Sequence, residues 1–134
     1  MNTRQNLQLA QNFLAKLGSG ASAADIAALC SADLEWSIPG DDGALPWVGH
    51  KVGREAMHDF IRDTATMIER ESLEIHDLLA SEERAVILGH LKTRIVATGK
   101  LIDGAFAIVL KFREGKIASF TMLEDSFAVS AAAR

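Results

Sequence analysis

The spacing of apolar residues changes from a helical to a strand-like period near residue 70, and this change constrains the fold most. Before it, apolar residues recur at helical spacing in segments 3–17, 22–29 and 53–69. After it, segments rich in valine, isoleucine, phenylalanine and leucine occupy residues 72–79, 84–100, 105–113 and 116–125. Helices followed by long antiparallel strands are typical of an α+β domain.

Polar turn residues separate the predicted strands at positions 81–83, 103–104 and 114–115. The Asp103-Gly104 pair is open to a second interpretation, a bulge within one continuous strand from Lys100 to Arg113. Connections this short favour a hairpin meander, which its twist curves, with the helices on one face. A cavity is expected at the mouth of such a sheet. The small, polar-ended segment 128–134 is expected to fray.

Both tryptophans and both prolines of the chain fall between Trp36 and Trp47. A short predicted strand, residues 32–38, leads into this segment. Tryptophan buries ~150–250 Å² when it is packed, and proline ends regular structure. The segment is therefore either a loop that is pinned onto the core or the wall of a pocket.

The bulk properties bound the class of protein. A chain of 134 residues is expected to form one domain, residues 1–134, with a sizeable core. Its one cysteine, Cys30, cannot form an intramolecular disulfide and is predicted to be a small core residue. The net charge of −4 and the scattered basic residues argue against nucleic acid as a partner.

The sequence also lacks the signals of several other classes. It has no signal-peptide pattern and no apolar run of ~18 residues, so we expect a soluble cytoplasmic protein without a membrane partner. The four histidines show neither HxH nor HxxxH spacing, so no metal site is expected. Glycine-rich phosphate loops and the G-x-S-x-G elbow are absent from the sequence, and we expect no cofactor.

The order of several short motifs makes the chain recognisable. They are the opening helix pair, LEWSIPG at 34–40, PWVG at 46–49, GRE at 53–55, ATGK at 97–100, GKI at 115–117 and the closing Glu124-Asp125. In this order the chain resembles the nuclear transport factor 2-like superfamily, specifically its SnoaL-like, ketosteroid-isomerase-related group. The resemblance implies a cystatin-like fold: a cone-shaped, curved mixed or antiparallel sheet wrapped by N-terminal helices. It also implies a deep apolar pocket and usually a homodimer.

The resemblance does not imply one activity, because the superfamily includes isomerases, cyclases, dehydratases, epoxide hydrolases and binding proteins. Ketosteroid isomerases use an aspartate base before a proline, where this chain has Ile38. They also use a tyrosine, which this chain lacks, and a protonated aspartate, which aligns with Ile108. SnoaL-like cyclases place an acid on the last strand, where this chain has Met122. The pocket is thus predicted to be more apolar than those of most relatives.

Three ionisable residues remain as candidates for acid or base catalysis. Glu124 shares the predicted inward face of Phe120 and Met122. Asp125 has two interpretations, a catalytic acid or a structural group that caps the terminal segment or pairs with Arg54. His50 lies on the tryptophan loop and could reach the pocket mouth. The predicted ligand-binding wall comprises Trp36, Ile38, Trp47, Phe60, Phe106, Ile108, Phe120 and Met122.

The strand that contains His90 is predicted to have two different faces. Ile87, Leu91 and Ile95 are placed inward, which puts His90 and Arg94 on the outer face. The outer face of the sheet is the surface through which the resemblance implies that dimers form.

Two functions remain open from the sequence. The first is a cofactor-free isomerase, cyclase or hydratase for an apolar substrate, with proton transfer by Glu124, Asp125 or His50. The alternative is a non-catalytic binding domain for a hydrophobic small molecule. Whether the chain is an enzyme is not decided at this level.

Overall fold

The computed structural model describes residues 2–134. In chain order, the elements are α1 (Thr3–Ser19), α2 (Ala23–Ala27), β1 (Cys30–Ile38), β2 (Gly49–Val52), α3 (Glu55–Met67), β3 (Ile68–Ala80), β4 (Arg84–Ile95), β5 (Leu101–Arg113), β6 (Lys116–Leu123) and α4 (Ser126–Ala133). Helices come first and long strands follow, as the change of period predicts.

The strands form one curved mixed sheet in the order β2-β1-β6-β5-β4-β3. β1 and β6 are parallel, whereas the other neighbouring pairs are antiparallel. Strands β2 and β3 are the edges, so the sheet is open within residues 2–134. Helix α1 packs on β3 and β4, and helix α3 packs on β1 and β3. The predicted α+β class with a curved, helix-covered sheet is confirmed.

Burial along β4 alternates strictly from one residue to the next. Ile87, Leu91 and Ile95 are buried on the inner face, while His90 and Arg94 are only half-buried on the outer face. The predicted faces of this strand are confirmed. The alternation works because side chains of successive strand residues point to opposite sides of the sheet.

Edge strand β3 contains two irregularities, and the second lies beside a glycine. The register with β4 shifts between Arg70 and Ser72 and again between Ile75 and Asp77. Gly89 of β4 lies opposite this second shift. A Cβ atom on Gly89 would come within 2.8 Å of the Phe106 ring and would overlap the carbonyl oxygen of Glu74. The ring therefore packs across β4 only because this position has no side chain.

The turn between β4 and β5 lies earlier in the chain than the Asp103-Gly104 pair. β4 ends at Ile95, not at residue 100, because residues 96–99 form a turn in which Gly99 has φ +72°. β5 then runs unbroken through Asp103 and Gly104, so the prediction of one continuous strand is confirmed for Leu101–Arg113, whereas a turn or a bulge at that pair is wrong. The glycine in this turn is Gly99, whose left-handed conformation is unfavourable for residues with a side chain.

The prediction of a fraying C-terminus is wrong, because the segment forms helix α4. The Asp125 side chain accepts a hydrogen bond of 3.0 Å from a backbone N–H of the first turn and caps the helix. Farther along, the Asp41 carboxylate accepts hydrogen bonds from Ser130 (2.6 Å) and Arg134 (2.8 Å). Val129 is buried against the core. The helix is therefore fixed at both ends.

Trp36 lies at the centre of the hydrophobic core, in β1. Its ring stacks on Phe120 with the centroids 4.5 Å apart, and Phe60 packs against it at 5.2 Å. Its indole N–H donates a 2.9 Å hydrogen bond to the carbonyl of Trp47. Trp36 therefore pins the loop onto the core, the first of the two roles predicted for this segment.

Two smaller observations complete the fold. Cys30 is fully buried, as predicted, and burial raises the pKa of its thiol to about 11. None of the helices in the described part of the chain has the length and hydropathy needed to span a bilayer.

Candidate functional site

A cavity of about 110 Å³ lies between the inner face of the sheet and helices α1 and α3. One water molecule needs roughly 10–15 Å³ on the same measure, so the cavity has room for a small ligand. Helix α4 contributes Val129 to its wall, and the loop between β1 and β2 contributes Leu45 and Trp47. Of the 22 residues that line it, 18 are apolar.

Six of the eight predicted wall residues line this cavity: Trp47, Phe60, Phe106, Ile108, Phe120 and Met122. The other two, Trp36 and Ile38, are 0% and 2% exposed and belong to the core behind the wall. Phe60 and Phe120 cover Trp36 on the cavity side, which explains why this large ring does not reach the cavity.

The positions at which relatives are expected to carry acids form an apolar band. Ile108 and Met122 are direct partners in the register of β5 and β6, and both line the cavity. Ile38 is buried at the end of β1. None of these three side chains can accept or donate a proton.

The cavity has four polar lining residues, Thr64, Arg70, Thr93 and Glu124. The Thr64 hydroxyl donates a 2.7 Å hydrogen bond to the carbonyl of Phe60 within its own helix, so its proton is already committed. Arg70, Thr93 and Glu124 are therefore the groups with which the cavity can address a polar ligand atom.

Glu124 is the one sequence-predicted acid that lines the cavity. It directly follows β6 and faces the same side as Phe120 and Met122, as the alternation predicted. Burial raises the pKa of its carboxyl from 4.5 to about 6, and no cation or hydrogen-bond donor of residues 2–134 offsets this rise. A carboxyl with this pKa can both accept and return a proton near neutral pH.

The other two candidates lie outside the cavity lining. Asp125 faces away from Glu124 and caps helix α4, which is the structural alternative that the sequence left open. His50 is exposed on edge strand β2, where it pairs with Ser37 of β1. The structure thus brings Glu124 to the cavity and separates it from His50 and Asp125.

Arg54 and His90 also have positions away from the cavity. The guanidinium of Arg54 donates hydrogen bonds of 2.8 and 3.1 Å to the carbonyl of Cys30, which ties the start of α3 to the start of β1. It does not pair with Asp125. On the outer face of the sheet, the His90 ring lies 2.5 Å from the carboxylate of Asp103.

Arg70 and Thr93 line the cavity but were not predicted from the sequence as site residues. Arg70 falls between the predicted helix 53–69 and the predicted strand 72–79, whereas β3 in fact begins at Ile68. Thr93 lies on the inward face of β4 between Leu91 and Ile95 and is the polar side chain of that face. The alternation of side chains along β4 is the sequence signal that identifies Thr93 as an inward residue.

Across positions 2–134, no group of three or more histidine, cysteine, aspartate or glutamate side chains is placed to hold a metal ion.

Comparison with known proteins decides the family. Residues 10–120 match the SnoaL-like domain family. The chain belongs to this family. No curated protein is significantly similar to this chain.

Solved structures share the fold over nearly the full length. An NTF2-like protein from Burkholderia xenovorans is 25% identical, with a TM-score of 0.87 over 100% of this chain and 99% of its own. A proposed isomerase from Bacillus subtilis is 16% identical, with a TM-score of 0.76 over 96% and 92% of the two chains. A proposed SnoaL-like polyketide cyclase from Mesorhizobium loti is 14% identical, with a TM-score of 0.71 over 87% and 96%. The resemblance drawn from the sequence motifs is confirmed.

Proposed function

We propose that this SnoaL-like protein binds an apolar small molecule in its cavity and transfers a proton to or from it with Glu124, without a cofactor. The observation that carries the proposal is a carboxyl that burial holds at a pKa of about 6 in a wall of apolar side chains. The catalytic pKa that suits general acid–base chemistry lies near the working pH.

Isomerisation, cyclisation and hydration are the reaction classes that this arrangement supports. Each requires a proton to move between carbon or oxygen atoms of the substrate, and each can proceed with one carboxyl that alternates between base and acid. The names of the structural neighbours, an isomerase and a polyketide cyclase, belong to the same classes. A positioned general base contributes ~10²- to 10⁴-fold to the rate.

The proposal can be tested before the natural substrate is known. The probe is 5-nitrobenzisoxazole, an apolar carbon acid. A base removes its C3 proton while the ring N–O bond breaks, and the electron pair leaves on oxygen as a coloured phenolate. We expect the rate to rise with pH through about 6 as Glu124 loses its proton, and then to level off.

Glu124→Gln is expected to lower this rate by ~10²-fold or more, because the amide cannot take a proton. Glu74→Gln, which changes an exposed carboxyl on β3, is the matched control and should leave the rate unchanged. Equal rates for the native protein and Glu124→Gln would contradict the proposal.

A non-catalytic binding domain is the second candidate, and the apolar band formed by Ile108 and Met122 favours it. That band removes the groups with which relatives are expected to stabilise a charged intermediate. In this case Glu124→Gln should bind an apolar probe at least as tightly as the native protein, since it removes the cost of a buried charge, and no proton-transfer rate should depend on it.

We also propose that the chain forms a homodimer through the outer face of its sheet. Two cross-strand rows support this: Leu88, Ala107 and Leu123 in one, and Val86 with Val109 in the next. Leu123 is 47% exposed, which leaves apolar surface that a second copy would cover.

A further inference from the structure

We propose that Arg70 forms an anion-binding subsite at the mouth of the cavity, so that the ligand is an apolar molecule with a carboxylate or similar anionic group at one end. This inference rests on the proposed function, because it names the class of ligand that the same cavity takes. It adds a specificity residue that lies apart from Glu124.

The irregular register of β3 is what places Arg70 on the cavity side. Arg70 pairs with the inward residue Thr93, and after the register shift Leu73 pairs with the inward residue Leu91. An uninterrupted strand with Leu73 inward would turn Glu69 and Glu71 inward and Arg70 outward, because side chains alternate. The extra residue of a bulge re-aims a side chain in this way, and bulges are frequent beside functional sites.

The charge of Arg70 is not satisfied by the protein. The neighbouring carboxylate of Glu71 lies on the outer face, where it pairs with Arg94 at 3.4 Å. Within residues 2–134, the exposed side chain of Arg70 makes neither an ion pair nor a hydrogen bond, while its backbone pairs with β4. Because the acidic neighbours of Arg70 point elsewhere, the N–H donors of its guanidinium are available to a ligand in the cavity.

Arg70 lies where the cavity joins a second, more open space. This outer recess has a volume of about 180 Å³, and it shares Leu17, Ile61, Thr64, Ile68 and Arg70 with the inner cavity. The remaining walls of the recess come from the α1–α2 connection, α2 and α3. A ligand that enters here can keep its charged end near solvent at Arg70 while its apolar part lies inside.

Arg70 and Glu124 address different ends of one ligand. Arg70 aligns through Thr93 with Ile102 of β5, whereas Leu123, which precedes Glu124, aligns with Ala107. Those two β5 positions are five residues apart, roughly 16 Å in an extended strand. Arg70 also contributes nothing to the pKa shift of Glu124. Recognition of the anion and proton transfer are therefore separate tasks.

The chemistry of the guanidinium selects the ligand class. Arginine binds planar carboxylates through two parallel hydrogen bonds, which fixes orientation as well as charge. Thr93, a residue only 7% exposed, pairs with Arg70 across the strands, so its hydroxyl is a further hydrogen-bonding group on the same face. A neutral hydrocarbon gains nothing from these groups, whereas an apolar acid does.

A pair of probes that differ in charge tests the subsite. We would measure the Kd of 2-naphthoate and of the uncharged 2-naphthamide by titration calorimetry at pH 7.5. The variants are Arg70→Gln and the matched control Arg94→Gln. Arg94 directly follows Thr93 in β4 but lies on the outer face of the sheet, where it pairs with Glu71. We expect Arg70→Gln to weaken naphthoate binding only about 10-fold, because the side chain of Arg70 is exposed to solvent, and to leave naphthamide binding unchanged.

The outcomes separate this inference from the proposed function. If Arg70→Gln changes neither Kd, or weakens both probes equally, the subsite is overturned while cavity binding stands. If neither probe binds the native protein, the proposed function fails and the subsite fails with it. An unchanged naphthamide Kd shows that the variant is folded, and Arg70→Lys, which keeps the charge, should recover part of the naphthoate affinity.

Discussion

At the scale of single residues, Gly89 is the glycine at which an added side chain would meet the closest neighbouring atoms. Its missing side chain lets Phe106 lie across β4 on the inner face of the sheet. Gly89→Ala should therefore force the ring or β3 to move, and overpacking of this kind costs about 1–3 kcal/mol of unfolding free energy. Urea denaturation measures the loss.

Gly104→Ala is the control for that substitution. Gly104 lies on the next strand, and an added Cβ would meet no atom within 4 Å. The free energy of unfolding should stay within about 0.5 kcal/mol of the native value, because the added methyl group displaces no atom. If Gly89→Ala and Gly104→Ala lower the free energy of unfolding equally, the packing of Phe106 does not explain why glycine occupies position 89.

At the scale of elements, helix α4 depends on its cap. Asp125→Ala removes the side-chain acceptor and should cost about 1 kcal/mol, visible as faster amide hydrogen exchange across residues 126–133. Asp125→Asn should preserve both the helix and the proton-transfer rate, because asparagine caps equally well. Loss of that rate in Asp125→Asn would instead assign Asp125 to catalysis.

The same helix shows why some elements cannot be predicted locally. Segment 128–134 has little amphipathic pattern of its own, and Asp41, which holds it, lies 89 residues before Ser130 in the chain. The bulge after Arg70 is similar, because a register shift depends on the partner strand. By contrast, the faces of β4 and the inward position of Glu124 follow from simple alternation and were predicted.

At the scale of the whole molecule, the proposed dimer makes a clear prediction. Leu88→Glu places a charge in the centre of the apolar rows on the outer face and should convert a dimer into a monomer, because a buried unpaired charge is costly. Light scattering coupled to size-exclusion chromatography measures the mass. Val52→Glu, at the far edge strand where Val52 is 70% exposed, should leave the mass unchanged. A monomeric native protein would contradict the proposal.

The functional site could be predicted from the sequence only in part, because some of its residues are positioned by contacts between separate elements. The family follows from the order of the motifs, and six of the eight residues predicted for the pocket wall line the cavity. Trp36 was misplaced because its burial depends on Phe60, which another element brings over it. Arg70 was missed because its orientation depends on the register between two strands.

The proposed role of Glu124 depends on burial, without a charged partner, raising the pKa of its carboxyl toward neutral pH. The most direct measurement is a ¹³C NMR titration of its side-chain carboxyl, assigned by its loss in Glu124→Gln. The account predicts a midpoint at about 6. A midpoint near the ordinary glutamate value of about 4.3 would mean that the carboxyl is hydrated, and it would contradict the proposed role of Glu124.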